Sequence, residues 1–263
     1  MMSHQAVIFP AVAPVHKEPS FCSEMISQAL MWEKVKIQET SENWHQIKME
    51  DGYEGWMHNF YLSEPQINSQ STLTLTNRFT PVCSQRGRDG KILTLLSFGT
   101  TVPILEKTSN YYHIQLMNGE EGFIPAQQEI LKQNRSDIIK LAIYLMGVPY
   151  LWGGKSSFGY DCSGFVQMVL KAVGISIPRD TGLQIKTDWL EEISITDTKP
   201  GDLVFFSVDN QINHVAFTTG EGKIIHCSGE VKLESIIEGE PGFNNTLAKQ
   251  SHTYTSIAKM VSS

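Results

Sequence analysis

The chain has 263 residues, of which 41% are hydrophobic and 19% are charged, and its formal net charge is −7. This apolar content excludes a largely disordered chain, and the acidic balance argues against a nucleic-acid scaffold, which would normally show a basic surface. At roughly 100–200 residues per domain, the length predicts two or three domains. The 20 glycines and 11 prolines favour short strands joined by turns over an all-helical bundle.

The first residues of the sequence show neither a secretory signal nor a membrane span. The apolar stretch from Ala6 to Val15 is interrupted by Pro10 and Pro14, and the first lysine is Lys17. A signal has a basic start and then an apolar run of roughly 7–15 residues, and a spanning helix needs roughly 18 apolar residues. We therefore expect a cytoplasmic protein; the alternative is an exported protein whose signal has been removed.

The first half contains an internal repeat at an offset of 67 positions. The segment that starts at Asn43 aligns without a gap with the segment that starts at Asn110, aromatic with aromatic and apolar with apolar. In each copy a strand of alternating polarity leads into a turn, Asp51-Gly52 or Asn118-Gly119. Such turns are typical of tight hairpins with positive φ at both central residues. Several short strands in about 60 residues predict a small β-barrel or sandwich in each copy.

The strands that follow these turns contain Gly55-Trp56-Met57 and Gly122-Phe123-Ile124. This combination of turn and strand resembles bacterial SH3-like domains. The resemblance predicts a first SH3-like domain over residues 1–65 and a second over residues 72–130, joined by the polar segment 63–71. The alternative is that the two domains are only spacers or general wall-binding modules.

The second half changes from strand to helical periodicity. Ser136 is placed to cap a helix whose apolar residues recur as far as Leu145, and Gly147 ends it. A glycine-rich loop follows, and a second helical pattern opens at Cys162 and closes at Gly174. Cys162 is therefore expected at a helix N-terminus, where N–H groups and the helix dipole stabilise a thiolate. A buried inert cysteine, the alternative, would more naturally lie in the middle of an apolar helix face.

Two histidines lie on neighbouring predicted strands downstream of this cysteine. His214 opens one strand, His226 lies on the next, and Gly220-Glu221-Gly222 connects the two. Residues placed in this way in a hairpin can lie side by side on one face. Either histidine alone is more often a surface or core residue, but a cysteine nucleophile needs a base and a group that orients the base. The pair therefore favours a catalytic site.

The cysteines give no indication of a zinc ribbon, because they lie far apart and form no CxxC pair. They are Cys22, Cys83, Cys162 and Cys227. In an exported protein they could form disulfides, whereas in a cytoplasmic protein they are thiols. Cys227 is expected on the opposite face of its strand from His226, in a structural role. We expect no metal and no cofactor, because a thiol mechanism needs neither.

Five sequence motifs of the second half occur in the order found in the NlpC family of cell-wall cysteine peptidases, which this half resembles over about residues 134–260. They are Tyr150-Leu151-Trp152-Gly153-Gly154, Asp161-Cys162-Ser163-Gly164-Phe165, Pro200-Gly201-Asp202-Leu203, His214 and His226. The resemblance implies a papain-like α+β domain over residues 134–263, with the cysteine on a helix packed against an antiparallel sheet. The expected fold is thus multidomain, with two small SH3-like β-barrels followed by a papain-like cysteine peptidase domain.

The same resemblance implies the roles of the central residues. Cys162 is then the nucleophile, His214 is the base, and His226 holds His214 in its productive orientation. Tyr150 matches a family tyrosine that lies near the thiol. The implied reaction is hydrolysis of the bond between γ-D-glutamate and a diamino acid, either diaminopimelate or lysine, in peptidoglycan peptides.

The order of the domains resembles a narrower group, the γ-D-glutamyl-L-diamino-acid endopeptidases that recycle murein peptides. In that group the first barrel closes one end of the groove, so the substrate has a free N-terminal L-alanine. A buried ammonium requires carboxylate partners. By this resemblance the substrate is bound by Glu18 and Tyr53 of the first barrel and by Asp161, Ser163 and Thr181. The alternative for Glu18 and Tyr53 is that both are ordinary surface residues.

Three other interpretations stay open at this point. The chain could be an exported hydrolase that remodels intact wall, a non-enzymatic wall-binding scaffold, or a papain-like amidase or acyltransferase. The intact Cys162, His214 and His226 argue against the scaffold, and the sequence around Cys162 argues against the third class. We expect a monomer whose partner is a murein peptide, with no nucleic-acid or membrane partner.

Overall fold

A computed structural model describes most of the chain, namely residues 5–64, 71–87, 90–117, 119–127 and 131–261. The chain divides into two compact units, Met1–Ile130 and Leu131–Ser263. Within the described ranges, no helix is long and apolar enough to cross a membrane. The middle of the predicted linker, residues 65–70, and the predicted turn residue Asn118 lie outside the described residues.

The first unit consists of two antiparallel sheets. The strands of the first sheet are β1 (Gln5–Ile8), β2 (Val12–His16), β3 (Met25–Leu30), β4 (Lys34–Ser41), β5 (Trp44–Met49), β6 (Glu54–His58) and β7 (Leu62–Ser63), with a 3-10 turn at Asn59–Tyr61. The strands of the second sheet are β8 (Ser71–Thr74), β9 (Phe79–Cys83), β10 (Ile92–Ser97), β11 (Thr101–Lys107), β12 (Tyr111–Gln115) and β13 (Glu121–Pro125). The strands pair in the orders β3-β2-β6-β5-β4-β1-β7 and β10-β9-β13-β12-β11-β8.

The sequence repeat is also a repeat of strands and of their order. A shift of 67 positions moves β2, β3 and β6 onto β9, β10 and β13 with the same bounds. The spatial order β3-β2-β6-β5-β4 becomes β10-β9-β13-β12-β11 under the same shift. The alternation of apolar and polar residues therefore specifies the same register in both copies.

One close approach between strands recurs in both sheets. A Cβ atom on Gly55 of β6 would lie 2.5 Å from Cγ1 of Val15 and 3.0 Å from the carbonyl oxygen of His16, both on β2. In the second sheet, a Cβ atom on Gly122 of β13 would overlap Cγ1 of Val82 on β9. Only glycine lets the two backbones come this close, which explains why both copies have glycine here.

The glycine turns have a different geometry from the one expected. Gly52 and Gly119 have φ values of 84° and 79°, but the φ of Asp51 is not positive. The Gly52 N–H donates to the Met49 carbonyl at 3.0 Å, and the Met49 N–H donates to the Tyr53 carbonyl at 2.8 Å. The prediction of two positive φ angles was therefore wrong for Asp51, because an extra residue in the turn leaves only the glycine in the left-handed region.

The two sheets of the first unit share part of their hydrophobic core. Met31 and Trp32, which follow β3, pack with buried residues of the second sheet such as Leu75 and Leu116. The indole N–H of Trp32 also donates to the carbonyl of Gln115 at 3.2 Å. The contact therefore buries apolar area, and the hydrogen bond of the indole fixes its geometry.

The second unit combines one main antiparallel sheet with short helices. The helices are α1 (Arg135–Tyr144), α2 (Cys162–Ala172), α3 (Thr181–Gln184) and α4 (Asn245–Ala248), with 3-10 turns at Ile195–Asp197 and Ala258–Met260. The strands are β14 (Lys155–Ser156), β15 (Gly159–Tyr160), β16 (Glu191–Ile193), β17 (Leu203–Val208), β18 (Gln211–Gly220), β19 (Lys223–Ser228), β20 (Glu230–Ser235) and β21 (Ser251–Ser256). The main sheet has the order β16-β21-β17-β18-β19-β20, and α2 packs against β18 and β19.

Helix α1 begins one residue before the predicted cap. Its N-cap is Asn134, whose side-chain oxygen accepts a hydrogen bond from the Asp137 N–H at 2.8 Å. The prediction of Ser136 as the cap was therefore wrong. Asparagine caps a helix about as well as serine, and here the side chain of Asn134 is the one that reaches the Asp137 N–H.

We expect the substitution Gly55→Ala to lower the free energy of unfolding of the first unit by about 1–3 kcal/mol, because its methyl group would press into Val15. The measurement is chemical denaturation followed by tryptophan fluorescence. Since Val15 supplies the nearest atom, the double variant Gly55→Ala/Val15→Ala should lose less stability than the sum of the two single variants. Strictly additive losses of stability would show that the close approach of β6 to β2 at Gly55 does not require glycine for steric reasons.

Candidate active site

Cys162 is the first residue of α2 and is only 9% exposed. Asp161 caps the helix, since its carboxylate accepts a hydrogen bond from the Gly164 N–H at 2.7 Å. The backbone groups of Ser163 and Val215 hydrogen-bond to the thiol. Val215 directly follows His214 on β18, so the thiol lies next to the part of the strand that presents the first histidine.

Burial raises the pKa of the Cys162 thiol to about 11, and the Asp161 carboxylate acts in the same direction. The backbone hydrogen bonds from Val215 and Ser163 and the charge of Arg179 act in the opposite direction but do not outweigh burial. The prediction of a stabilised thiolate was therefore wrong, because desolvation of the anion costs more free energy than the helix N-terminus contributes. The group stays a thiol at neutral pH.

His214 and His226 are in direct contact, which confirms the prediction from the hairpin. The distance from Nε2 of His214 to Nδ1 of His226 is 2.7 Å, and the ring planes are nearly perpendicular at 88°. His226 is fully buried, whereas His214 is partly exposed. The partly exposed His214 can reach a substrate, whereas the buried His226 can only support it.

Both histidines are neutral at pH 7. Burial is the main reason that the pKa of His214 is lowered to about 3, and the electrostatic effect of the neighbouring His226 acts in the same direction. Burial also lowers the pKa of His226, although the hydrogen bond that His226 donates to Glu234 acts in the opposite direction. The thiol and the imidazole are therefore both uncharged at rest, and a neutral imidazole can act as a general base.

Glu234 is the functional candidate that sequence reasoning missed on the histidine side. Its Oε2 atom accepts from Nε2 of His226 at 2.8 Å and from Nδ2 of Asn244 at 2.6 Å, and its Oε1 atom accepts from Nζ of Lys232 at 2.8 Å. In the register of β19 and β20, Glu234 lies opposite Ile224, on the diagonal to His226. On the neighbouring strand, Glu234 lies two residues beyond Lys232, the residue opposite His226. This diagonal position is within reach of a long side chain, so the strand pattern could have indicated Glu234.

Arg179 is the candidate that was missed on the cysteine side. Its guanidinium is almost fully buried and donates to Oδ1 of Asp161 at 2.9 Å, to Oδ2 of Asp161 at 2.5 Å and to Oγ of Ser163 at 2.9 Å. The Ser163 hydroxyl in turn donates to Oδ1 of Asp161 at 3.3 Å. A buried arginine needs a paired carboxylate, and here the helix cap supplies it.

This network affects two of the predicted substrate-binding residues. The carboxylate of Asp161 is neutralised by a two-point ion pair with Arg179, and the hydroxyl of Ser163 is already used as donor and acceptor. The roles of both residues toward substrate stay predictions. An ammonium placed beside Asp161 would meet a carboxylate whose charge is already compensated.

Tyr150 and Thr181 lie at the edges of the same region. Burial raises the pKa of Tyr150 to about 12, and the charges of Cys162 and Asp161 add to the rise, which places its hydroxyl in the neighbourhood of the thiol. Thr181 opens α3 and is half-buried. In the same helix, the amide of Gln184 donates to the carbonyl of Ser163 at 3.0 Å, so α3 is tied to the start of α2.

Glu18 and Tyr53 belong to the first unit. Glu18 is exposed in the turn between β2 and β3, and its N–H donates to Oγ of Ser23 at 2.9 Å. Tyr53 precedes β6, packs against the core of the first sheet and donates its hydroxyl to the carbonyl of Ile26 at 3.5 Å. Their assignment to an amine-binding site stays a prediction.

The remaining cysteine of the catalytic half has a structural environment. Cys227 is fully buried, and its thiol donates to the carbonyl of Tyr160 at 3.1 Å. All four cysteines lie in described ranges, and each is a thiol. Among the described residues, no cluster of three or more histidine, cysteine, aspartate or glutamate side chains is arranged to hold a metal ion.

Comparison with known proteins identifies both halves of the chain. The model of the NlpC/P60 family matches residues 147–249, and that of the bacterial dipeptidyl-peptidase Sh3 domain matches residues 15–59. A gamma-D-glutamyl-L-lysine dipeptidyl-peptidase of Bacillus subtilis is 33% identical over 217 residues, which cover 76% of this chain and 71% of that protein. Dipeptidyl-peptidase 6 of Lysinibacillus sphaericus is 28% identical over 92% of this chain and 96% of that protein.

A solved structure has the same fold over nearly the whole chain. The crystal structure of an NlpC/P60 family protein from Bacillus cereus superposes with a TM-score of 0.81, at 22% sequence identity, over 95% of this chain and 98% of that one. The predicted family, with an SH3 domain in the first half and an NlpC/P60 peptidase domain in the second, is confirmed by the two family models and by the Bacillus subtilis relative.

We expect the rate of Cys162 alkylation by iodoacetamide to rise about tenfold per pH unit between about pH 6 and about pH 9, because only the thiolate reacts and its pKa is raised. Mass spectrometry of the tryptic peptide that contains Cys162 measures the rate. Exposed Cys22, followed in the same digest, serves as the internal control. A rate that levels off below about pH 7 would show a preformed thiolate and contradict the effect of burial.

Proposed function

The chain belongs to the NlpC/P60 family of cysteine peptidases, and we propose that it hydrolyses the bond between γ-D-glutamate and a diamino acid in murein peptides with a free N-terminal L-alanine. Relatives from two Bacillus species are named gamma-D-glutamyl-L-lysine dipeptidyl-peptidase. The observation that carries the proposal is the buried thiol of Cys162 at the start of α2, adjacent through Val215 to the His214–His226 pair. A dipeptidyl-peptidase releases an N-terminal dipeptide, which in this substrate is L-alanyl-D-glutamate.

Cys162 and His214 perform the two chemical steps in this proposal. The sulfur of Cys162 attacks the γ-carbonyl carbon while His214 accepts the thiol proton, and the tetrahedral intermediate collapses to a thioester as His214 protonates the departing amine. Water then hydrolyses the thioester with His214 again as the base, which regenerates the thiol. The N–H of Cys162, at the positive end of α2, stabilises the oxyanion. His226 keeps His214 in position through the 2.7 Å contact.

We further propose that Glu18 and Tyr53 recognise the amine of the substrate. The argument is electrostatic, because Arg179 already compensates the charge of Asp161. A desolvated ammonium needs a carboxylate of its own, and Glu18 supplies an exposed carboxylate in the turn between β2 and β3. Tyr150, Ser163 and Thr181 are assigned to the rest of the peptide.

The remaining proposals concern the setting of the reaction. We assign the second sheet of the first unit as a second SH3-like domain, because its strands repeat those of the first at the offset of 67 positions. A requirement for a free amine selects small released peptides over polymeric wall. We therefore propose a cytoplasmic, monomeric enzyme of murein peptide recycling, and an exported hydrolase of intact wall is the second candidate.

We expect mass spectrometry to detect L-alanyl-D-glutamate when the protein is incubated with the free tripeptides L-Ala-γ-D-Glu-L-Lys and L-Ala-γ-D-Glu-diaminopimelate. Cys162→Ala should lower the rate by at least about 10³-fold, because the nucleophile is lost. Cys83→Ala, which removes a half-exposed thiol from β9, is the matched control and should leave the rate unchanged. Cleavage of intact sacculi would instead support the exported hydrolase, and turnover by Cys162→Ala would refute the mechanism.

We expect acetylation of the substrate amine to slow cleavage by about 10- to 100-fold, because it removes the charge and leaves a desolvated carboxylate without its partner. The measurement is kcat/KM on the acetylated and the free tripeptide. Glu18→Gln should raise KM for the free peptide and bring kcat/KM for the free peptide closer to kcat/KM for the acetylated peptide. The control Glu39→Gln, at an exposed position on β4, should change neither quantity. Equal rates on both substrates would remove amine recognition but leave the peptidase assignment intact.

A further inference from the structure

We propose that Glu234 is a positioning residue for this reaction, which fixes the nitrogen of His226, and through it the nitrogen of His214, that carries the proton. The inference deepens the proposed function, since it rests on the roles of Cys162 and His214. It is carried by a continuous row of hydrogen bonds that links Asn244 and Lys232 with Glu234, Glu234 with His226, and His226 with His214.

The carboxylate of Glu234 is held in place by three donors. Nε2 of His226 and Nδ2 of Asn244 lie 2.8 Å and 2.6 Å from Oε2, and Nζ of Lys232 lies 2.8 Å from Oε1. Burial raises the pKa of Glu234, but the hydrogen bonds from Asn244, Lys232 and His226 outweigh it and hold the pKa below its ordinary value. Glu234 is therefore ionised at neutral pH and can only accept hydrogen bonds.

The ionised carboxylate determines the tautomer of both imidazoles. Since Glu234 cannot donate, Nε2 of His226 must carry a hydrogen. His226 is neutral, so its other nitrogen, Nδ1, is an acceptor. Nε2 of His214, at 2.7 Å from that acceptor, must then be the donor. The lone pair of His214 is left on Nδ1, which is the nitrogen that can take the proton of Cys162.

The opposite arrangement would not support catalysis. If His226 accepted at Nε2, it would donate from Nδ1, and His214 would accept at Nε2 and carry its proton on Nδ1. The base would then present an N–H to the thiol. Glu234 also counteracts the loss of basicity at His214, because its negative charge raises the pKa that burial, His226 and Lys232 lower.

The other titratable groups around the pair do not replace this carboxylate. Cys162 on α2 is the group to be deprotonated. His252 on β21 contacts Phe206, which contacts His214, but its Nε2 is paired with the carbonyl of Leu247 at 2.9 Å and its Nδ1 with the hydroxyl of Tyr254 at 3.4 Å. Lys232 is bound to Glu234 itself. Glu234 is therefore the anion that His226 contacts.

The substitution Glu234→Gln tests this inference because it keeps the size of the side chain and removes its charge. We expect kcat to fall by about 10- to 100-fold with little change in KM, a part of the roughly 10²–10⁴-fold that a positioned base contributes. Glu234→Asp, which keeps a carboxylate on a shorter arm, should recover part of the loss. The matched control is Glu191→Gln on β16, which breaks an ion pair with Lys259 (Oε1 to Nζ 2.7 Å) at the opposite edge of the same sheet.

The direct readout is the ¹⁵N spectrum of the histidine rings, which distinguishes protonated from unprotonated nitrogens and does not depend on any substrate. In the wild-type protein we expect Nε2 to be protonated and Nδ1 unprotonated on both histidines. In Glu234→Gln we expect the two tautomers to mix, because the amide can donate as well as accept. Thermal unfolding of each variant separates this effect from a loss of folding.

The outcomes separate this inference from the proposed function. A wild-type protein that cleaves no murein peptide would overturn the proposed substrate, and the ring spectrum would still decide the tautomers. A proton on Nδ1 of His214 in the wild-type protein would overturn the role of Glu234, whether or not Glu234→Gln folds. Unchanged tautomers and unchanged kcat in a folded Glu234→Gln variant would overturn it equally, while the peptidase assignment would stand.

Discussion

The buried ion pair between Arg179 and Asp161 is the interaction on which the geometry of the catalytic half depends. The carboxylate of Asp161 is both the cap of α2 and the counter-ion of Arg179, so the charge that satisfies the arginine also fixes the first turn that carries Cys162. Arg179 also donates to the carbonyl of Gly154 at 3.4 Å, which ties the glycine-rich loop to the same point. Breaking a buried pair from one side costs about 3–5 kcal/mol, so loop, cap and helix start are held as one body.

Burial then determines the chemistry at both reacting groups. It raises the pKa of Cys162 and lowers that of His214, so the resting pair is neutral. In the proposed mechanism the thiol proton then moves only as the sulfur attacks. A neutral pair avoids the desolvation cost of two ions. The charge that develops during attack needs groups that are already in place. On the histidine side, the fixed group is the carboxylate of Glu234, held by donors on β20 and at the start of α4.

Local patterns predicted the helix and the histidine pair of the site, but the prediction missed two of its charged partners. The helix that starts at Cys162 and the contact between His214 and His226 both follow from spacing within one helix or one hairpin. Arg179 was missed because its partner Asp161 lies 18 residues away outside any helix or hairpin pattern. Glu234 lies only eight residues from His226, on the next strand, and was missed because the prediction considered only the hairpin that joins the two histidines. The direction of the thiol pKa was also missed, since burial is a property of the packed structure and a helix terminus is visible in the sequence.

Comparison of equivalent positions in the two copies of the repeat shows which residues the fold of the first unit requires and which it does not. Gly55 recurs 67 positions later as Gly122, and at both places the neighbouring strand leaves no room for a Cβ atom. At the same offset Glu18 becomes Gln85, and Tyr53 becomes Glu120. Since the strand framework is the same in both copies, the fold does not require a carboxylate or a tyrosine at those two positions. These two positions are therefore free to differ between the copies, which is compatible with the proposed recognition of a charged substrate group by the first copy.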